Sequence, residues 1–217
     1  LDWTMGEVPI HVINNVVEGL YEITKEGRVI PCEATRLPKR TGPHRWAITL
    51  RSNLKWSDNT PVTADDYVFA WHRLRDPAFA SSYSYLIKDI VSFRAIGNTI
   101  EITTSKGIPL DPAVFTHWAT FPVKTEYVQT LGNKWTKDVV HIPVNGPYKF
   151  AKGSISTGFE LVPNNNHRNP GTLKHIQFIV VTDDTTAFRL YELGKIHFMT
   201  DLSGIDRKKI LQHRDFY

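Results

Sequence analysis

Between Arg45 and Pro77 the hydrophobic pattern changes from the period of a strand to that of a helix, and this change constrains the fold more than any other feature. Trp46, Ile48 and Leu50 alternate with Arg45, Ala47, Thr49 and Arg51, as the side chains of a half-buried strand do. Tyr67, Ala70, Trp71 and Leu74 then fall on one helical face, the spacing of an amphipathic helix. Thr63 stands at the capping position, Asp65 and Asp66 favour the positive end of the helix dipole, and Asp76-Pro77 ends the segment. A chain that sets a strand before a capped helix must pack unlike elements together, which excludes all-helical and all-strand folds.

The rest of the sequence repeats this mixture. Ile13, Val16, Val17 and Leu20 predict a short helix within residues 10 to 20, with Gly19 as its stop. Thr99 to Thr104 reads as a strand introduced by the turn pair Gly97-Asn98. Phe159 and Leu161 alternate, Ile176 to Val181 is a nearly continuous apolar, β-rich run, and Thr185 to Leu193 reads as a helix stopped by Gly194. Asn-rich and Pro-Gly clusters at 163–166 and 169–171 are loops. There is no internal repeat, and the expected class is α/β, in a mixed α+β arrangement.

Length and composition narrow the function classes. With 217 residues, 41% hydrophobic and 22% charged, the chain has ample material for a core and no apolar run long enough to cross a membrane. The net charge is +4, and the longest basic run is only Arg207-Lys208-Lys209, so the basic residues read as a solvated surface and no nucleic-acid partner is expected. The single cysteine, Cys32, excludes an intrachain disulfide and a Cys-rich zinc site. It follows Pro31 with no activating neighbour in sequence and reads as a buried or incidental thiol.

No catalytic pattern is visible. The chain lacks the Ser-centred hydrolase elbow, a phosphate-cradling glycine loop, a dinucleotide fingerprint and a paired-histidine zinc helix. Its nine histidines show no compact ligand spacing, so neither metal nor cofactor is expected. Asp65 and Asp66 are adjacent on a helix and do not converge as an acid–base pair. The most suggestive residues for binding are Tyr83 and Tyr85, flanked by Ser81, Ser82 and Ser84 just beyond a helix end. Cleft lining and simple packing account for them about equally well.

Residues 46 to 86 resemble the signature region of periplasmic peptide-binding proteins of ABC transporters, the extracellular solute-binding proteins of family 5. The matching residues include Leu50, Arg51, Lys55, Trp56, Ser57, Asp58, Thr60, Pro61, Val62, Thr63, Ala64, Asp66, Val68, Trp71, Arg73, Asp76 and Pro77. Asn59 replaces the family's usual glycine, and Asn tolerates a positive φ. The resemblance continues in Leu1-Asp2, in Val16-Val17-Glu18-Gly19-Leu20, in Asn145-Gly146-Pro147-Tyr148, and along Ala187 to Ile196. Asp76 to Leu86 looks most like the oligopeptide-binding branch, with Ser82 in place of a proline.

This resemblance implies a non-catalytic receptor that binds oligopeptides and delivers them to the membrane permease of an ABC transporter. It implies a monomer, a periplasmic or otherwise extracytoplasmic location with or without a lipid anchor before processing, and no cofactor. Family members run to about twice this length or more. The chain therefore reads as a first lobe of the type II periplasmic-binding-protein kind (residues 1–18 and 136–217) plus an accessory domain (19–135), without the second lobe. By the same resemblance Gly6, Glu7, Val8 and Pro9 form a cleft-edge loop that contacts ligand through its backbone around Val8, and Tyr83 and Tyr85 add an aromatic wall. The signature residues themselves are expected to build scaffold. Nickel, haem and sugar receptors share this scaffold and stay open as alternatives, as does a signalling or structural module that retains half of the receptor fold. The family usually carries a longer insertion where Ile90 to Asn98 stand here.

Overall fold

A computed structural model describes residue 2, residues 10–199 and residue 211. The helices are α1 (Ile10–Val16), α2 (Ala64–Arg75), α3 (Thr125–Leu131) and α4 (Asp184–Glu192). The strands are β1 (Tyr21–Ile23), β2 (Val29–Pro31), β3 (Lys39–Gly42), β4 (Arg45–Thr49), β5 (Ile90–Ile96), β6 (Thr99–Thr104), β7 (Tyr148–Ser154), β8 (Gly158–Pro163) and β9 (Ile176–Phe178). They form a two-stranded ribbon β1-β2, a four-stranded antiparallel sheet ordered β3-β4-β6-β5, and a three-stranded antiparallel sheet β7-β8-β9.

The four-stranded sheet buries one face only. Ile48, Ile100, Ile102 and Phe93 point into the core while Lys39, Arg45, Arg94 and Glu101 face solvent, as the period of two requires. Helix α2 covers the apolar face. Its Thr63 cap and Asp66 form a reciprocal capping box, and Asp76 closes the C-terminal end. Trp71 is fully buried at the centre, stacked on Phe115 at 4.8 Å, edge-on to Phe93 at 5.5 Å, and donating its indole N–H to Thr120 O at 2.8 Å.

Asp66 does more than favour the helix dipole. It is buried, and its carboxylate also accepts from Trp56 Nε1 at 3.3 Å and from the Thr125 backbone at 2.9 Å. One side chain thereby ties the signature turn, α2 and the start of α3 together. The turn itself is closed by Asn59 N–H to Trp56 O and Trp56 N–H to Thr60 O, with Asn59 at φ +72° where the family glycine would stand.

Helix α1 packs against β7 and leads into the crossing between the two larger sheets. At this crossing Gly146 N–H donates to Val16 O at 2.8 Å, and a Cβ at Gly146 would lie 2.5 Å from Val16 C and 2.7 Å from Val17 N. The signature turn meets the same place, for Ser57 N–H donates to Val144 O and Asn166 Nδ2 to Ser57 O.

Two expectations need correction, and one segment with no expected element gains one. The apolar run 176–181 is a strand only over Ile176–Phe178, and Ile179 and Val180 are about half exposed. Gln177 is exposed while Ile176 and Phe178 are half-buried, so β9 is covered on one face only. The segment 90–98 is a full strand and turn, β5 pairing with β6 through Ile96 and Thr99, although its sequence lacks clean alternation because a bulge interrupts the register between Ile90 and Ser92. The helix near the start ends at Val16, short of Gly19.

Candidate functional site

Tyr83 and Tyr85 are placed by the way α2 ends. Asp76 accepts from Ala78 N–H at 2.9 Å and starts a short turn, Ala80 reverses the chain in the left-handed region at φ +47°, and Ser81 Oγ accepts from Tyr83 N–H at 3.3 Å. A second helical turn, Ser84–Ile87, then plants Ile87 in the core. Tyr83 is half-buried, edge-on to Trp118 at 4.6 Å and tilted against His117 at 4.9 Å. Tyr85 is 58% exposed, with its ring 6.3 Å from that of Tyr83.

The structure thus brings the two sequence-chosen tyrosines together and adds His117 and Trp118, which sequence reasoning missed. Nothing in their local pattern marks them, because the partners meet across the chain. His117 Nδ1 accepts from Ala119 N–H at 3.1 Å, and burial lowers the pKa of the ring, so it is neutral at pH 7. The cluster is an uncharged aromatic wall with one outward tyrosine, suited to the side chains of an extended ligand and to hydrogen bonding at its hydroxyls.

Gly6, Glu7, Val8 and Pro9 lie outside the described residues. Asp2, ahead of them, is held by Arg73 of α2 at 2.6 Å, with both side chains largely buried and the guanidinium 4.4 Å over the Phe79 ring.

A second polar cluster sits at the crossing. The Glu33 carboxyl, fully buried, receives Tyr67 Oη at 2.6 Å and Asn145 Nδ2 at 3.0 Å. Asn145 also clamps the Glu18 backbone, accepting from its N–H at 3.2 Å and donating to its C=O at 3.0 Å. The Glu18 carboxylate faces Arg168 at 2.7 Å, His167 Nε2 at 3.1 Å and the Cys32 thiol at 3.3 Å. The His167 contact is close but lies off the hydrogen-bonding line. Burial, reinforced by the charge of Glu18, pushes the Glu33 carboxyl up to about 8. Burial pushes Glu18 the same way, but His167 and then Arg168 outweigh it and hold its carboxyl below the usual range.

Burial and the Glu18 charge raise the Cys32 thiol far above its ordinary value, which leaves it protonated and unreactive. Among the described residues no group of three or more His, Cys, Asp or Glu side chains is placed to hold a metal ion. At the crossing the cation is supplied by Arg168.

The model of the bacterial extracellular solute-binding proteins, family 5 middle, matches residues 28–215. The chain belongs to this family. It is a family of solute-binding proteins and not of enzymes. Curated relatives include the periplasmic murein peptide-binding protein MppA of Escherichia coli, 29% identical over 88% of this chain and 39% of its own length. The periplasmic oligopeptide-binding protein OppA of Salmonella typhimurium is 30% identical over 86% of this chain and 38% of its own. The chain spans about 40% of the length of the curated relatives it matches. Among solved structures, Listeria monocytogenes OppA bound to peptide superposes with a TM-score of 0.81 at 29% identity, over 90% of this chain and 43% of that one. The mixed α/β arrangement is accordingly part of the solute-binding-protein fold. Both curated relatives are periplasmic by name, and no described helix is long and apolar enough to cross a membrane.

Proposed function

We propose that this chain is the N-terminal part of an extracytoplasmic receptor that binds oligopeptides and hands them to an ABC permease. The observation that carries this reading is the uncharged aromatic wall of Tyr83, Tyr85, His117 and Trp118, standing on a scaffold shared with peptide-binding relatives. A receptor for varied peptides needs roomy apolar and aromatic surface for side chains, while affinity comes from the ligand backbone. The cleft-edge loop Gly6-Glu7-Val8-Pro9 supplies those backbone contacts, and Tyr83 and Tyr85 face the ligand from an accessory domain of residues 19–135. Residues 1–18 and 136–217 form the first lobe.

Ligand enclosure requires a second lobe, because peptide hydrogen bonds open to water contribute only about 0.5–1.5 kcal/mol each. The test is a thermal-shift and calorimetric titration of the intact protein containing this chain with mixed tri- to pentapeptides. Binding raises the melting temperature, and Tyr85→Ala weakens it about tenfold without lowering the stability of the free protein. Absence of any peptide response in the intact protein overturns the reading and favours a signalling or structural module on the same fold. The 217-residue chain alone is expected to show no shift with the same peptides at millimolar concentration.

A further inference from the structure

Between Glu33 and Asp58 the sequence holds six Lys and Arg residues and no Asp or Glu. Removing those six from the 26 basic residues leaves 20 against 22 acidic, so the positive charge of the chain originates in this one segment. The fold gathers part of it at one corner of the four-stranded sheet. β3 is the outer strand and pairs only with β4; Arg36 precedes β3, Lys39 opens it and Arg45 opens the neighbouring β4, and all three are exposed.

Two features show that this charge is not consumed within the protein. Lys39 and Arg45 project from the same outer face and are diagonal neighbours, since Lys39 pairs with Ala47 and Gly42 with Arg45. The carboxylate nearest to them on that face, Glu101 opposite Ala47, is already bound by Arg94 at 2.7 and 2.9 Å. Among the described residues no carboxylate pairs with Arg36, Lys39, Arg40 or Arg45. Arg40 instead folds back onto the carbonyls of Gly42 and Pro43 and stabilises the turn. Leu37, 47% exposed, stands between Arg36 and Lys39 in sequence.

We propose that this corner is a docking surface for an anionic phospholipid bilayer, with Arg36, Lys39 and Arg45 meeting the headgroups and Leu37 entering the interface. Like charges held side by side without a counter-charge repel one another, and an anionic surface relieves that repulsion. Exposed cations near such a surface contribute additively, and an apolar side chain among them adds interfacial burial. Exposed cations spread over two neighbouring strands at a sheet corner fit a flat surface better than a pocket-bound anion. Charged edge strands also prevent unwanted strand addition, and that simpler role needs charge of either sign.

The sign dependence separates the two roles. The wild-type protein is mixed with vesicles of phosphatidylcholine alone or with phosphatidylglycerol and sedimented at low and at physiological salt. Binding to the anionic vesicles alone, weakened by salt, is expected. K39Q/R45Q should lower it about thirtyfold, each cation near such a surface being worth about fivefold. K39E/R45E keeps a charged edge and should abolish binding while the protein stays monomeric with an unchanged melting temperature. K134Q/K137Q removes equal charge from another surface and should bind as wild type does. Failure of the wild type to bind anionic vesicles, equal binding by K39E/R45E, or binding to duplex DNA in place of vesicles each overturns the proposal.

Discussion

Tyr67 Oη lies 2.6 Å from the Glu33 carboxyl, in a site where neither side chain reaches solvent. The phenol donates across a contact that joins helix α2 to the segment following β2. Asn145 occupies the other carboxyl oxygen. With its carboxyl raised to about 8 by burial and by Glu18, Glu33 enters the folded state protonated at neutral pH.

The sign of the resulting pH dependence is fixed. The ordinary value for this carboxyl is 4.5, so the unfolded chain releases a proton that the folded chain retains between pH 4.5 and about 8. Stability from this group is full below 4.5 and falls as pH rises toward 8, at up to about 1.4 kcal/mol per pH unit. Glu18 acts in the opposite direction and at lower pH, since its carboxyl is held below the usual range. Urea unfolding of wild type and E33Q between pH 5 and 9 reads this directly. Wild type should lose stability across the interval and E33Q should not; a flat wild-type profile defeats the assignment.

Trp71→Ala removes the stacked and edge-on contacts to Phe115 and Phe93 and strands Thr120 O. A loss of about 3–5 kcal/mol is expected in chemical denaturation. A loss under about 1 kcal/mol would mean that this core is not organised around the indole.

Asp65 and Asp66, alike in sequence, should behave differently. Asp65 is exposed, and D65N should change stability by less than about 0.5 kcal/mol. Asp66 accepts from Thr63, Trp56 and Thr125, and D66N turns an amide donor toward donors already there. A loss of about 2–4 kcal/mol follows from the failed cap and the unsatisfied buried groups. Equal melting temperatures for the two variants would contradict the shared role drawn for Asp66.

Gly146→Ala places a methyl group against the backbone of Val16 and Val17, with no flexible side chain to yield. A cost of about 3 kcal/mol is expected. Gly27→Ala is the control, since that position has open space and only a positive φ, +78°, to resist it, at about 1–2 kcal/mol. Thermal melts of both variants rank the two mechanisms, and a milder effect at Gly146 would show that the crossing is looser than described.

What the sequence made legible was set by local chemistry. The helix from Ala64 to Arg75 declared itself through Thr63, its apolar face and Asp76-Pro77, and the strand Thr99–Thr104 through alternation and its turn. Trp56 and Trp71 were expected to be scaffold and are fully buried. β1, β2 and β3 are three or four residues long and largely exposed, so burial left no period in them to read. Of the aromatic wall, Tyr83 and Tyr85 could be picked from a local cluster, while His117 and Trp118 reach them only through tertiary packing. His167 offered no ligand-like spacing, and its tie to Glu18 exists only because β8 and its following loop return to the crossing.

The clamp of Asn145 on the Glu18 backbone joins positions 127 residues apart in sequence. As the chain leaves the ribosome, Val16 to Glu18 have no partner at this crossing until Asn145 and Gly146 emerge. The β3-β4-β6-β5 sheet and α2 contain all their mutual pairings within residues 39 to 104, and contacts this close in sequence form before distant ones. Closing the large loop afterwards adds only a slowly growing entropic cost. The Val16 to Glu18 segment is therefore made well before the residues that fix it, and vectorial synthesis leaves its apolar residues in need of shelter during that interval.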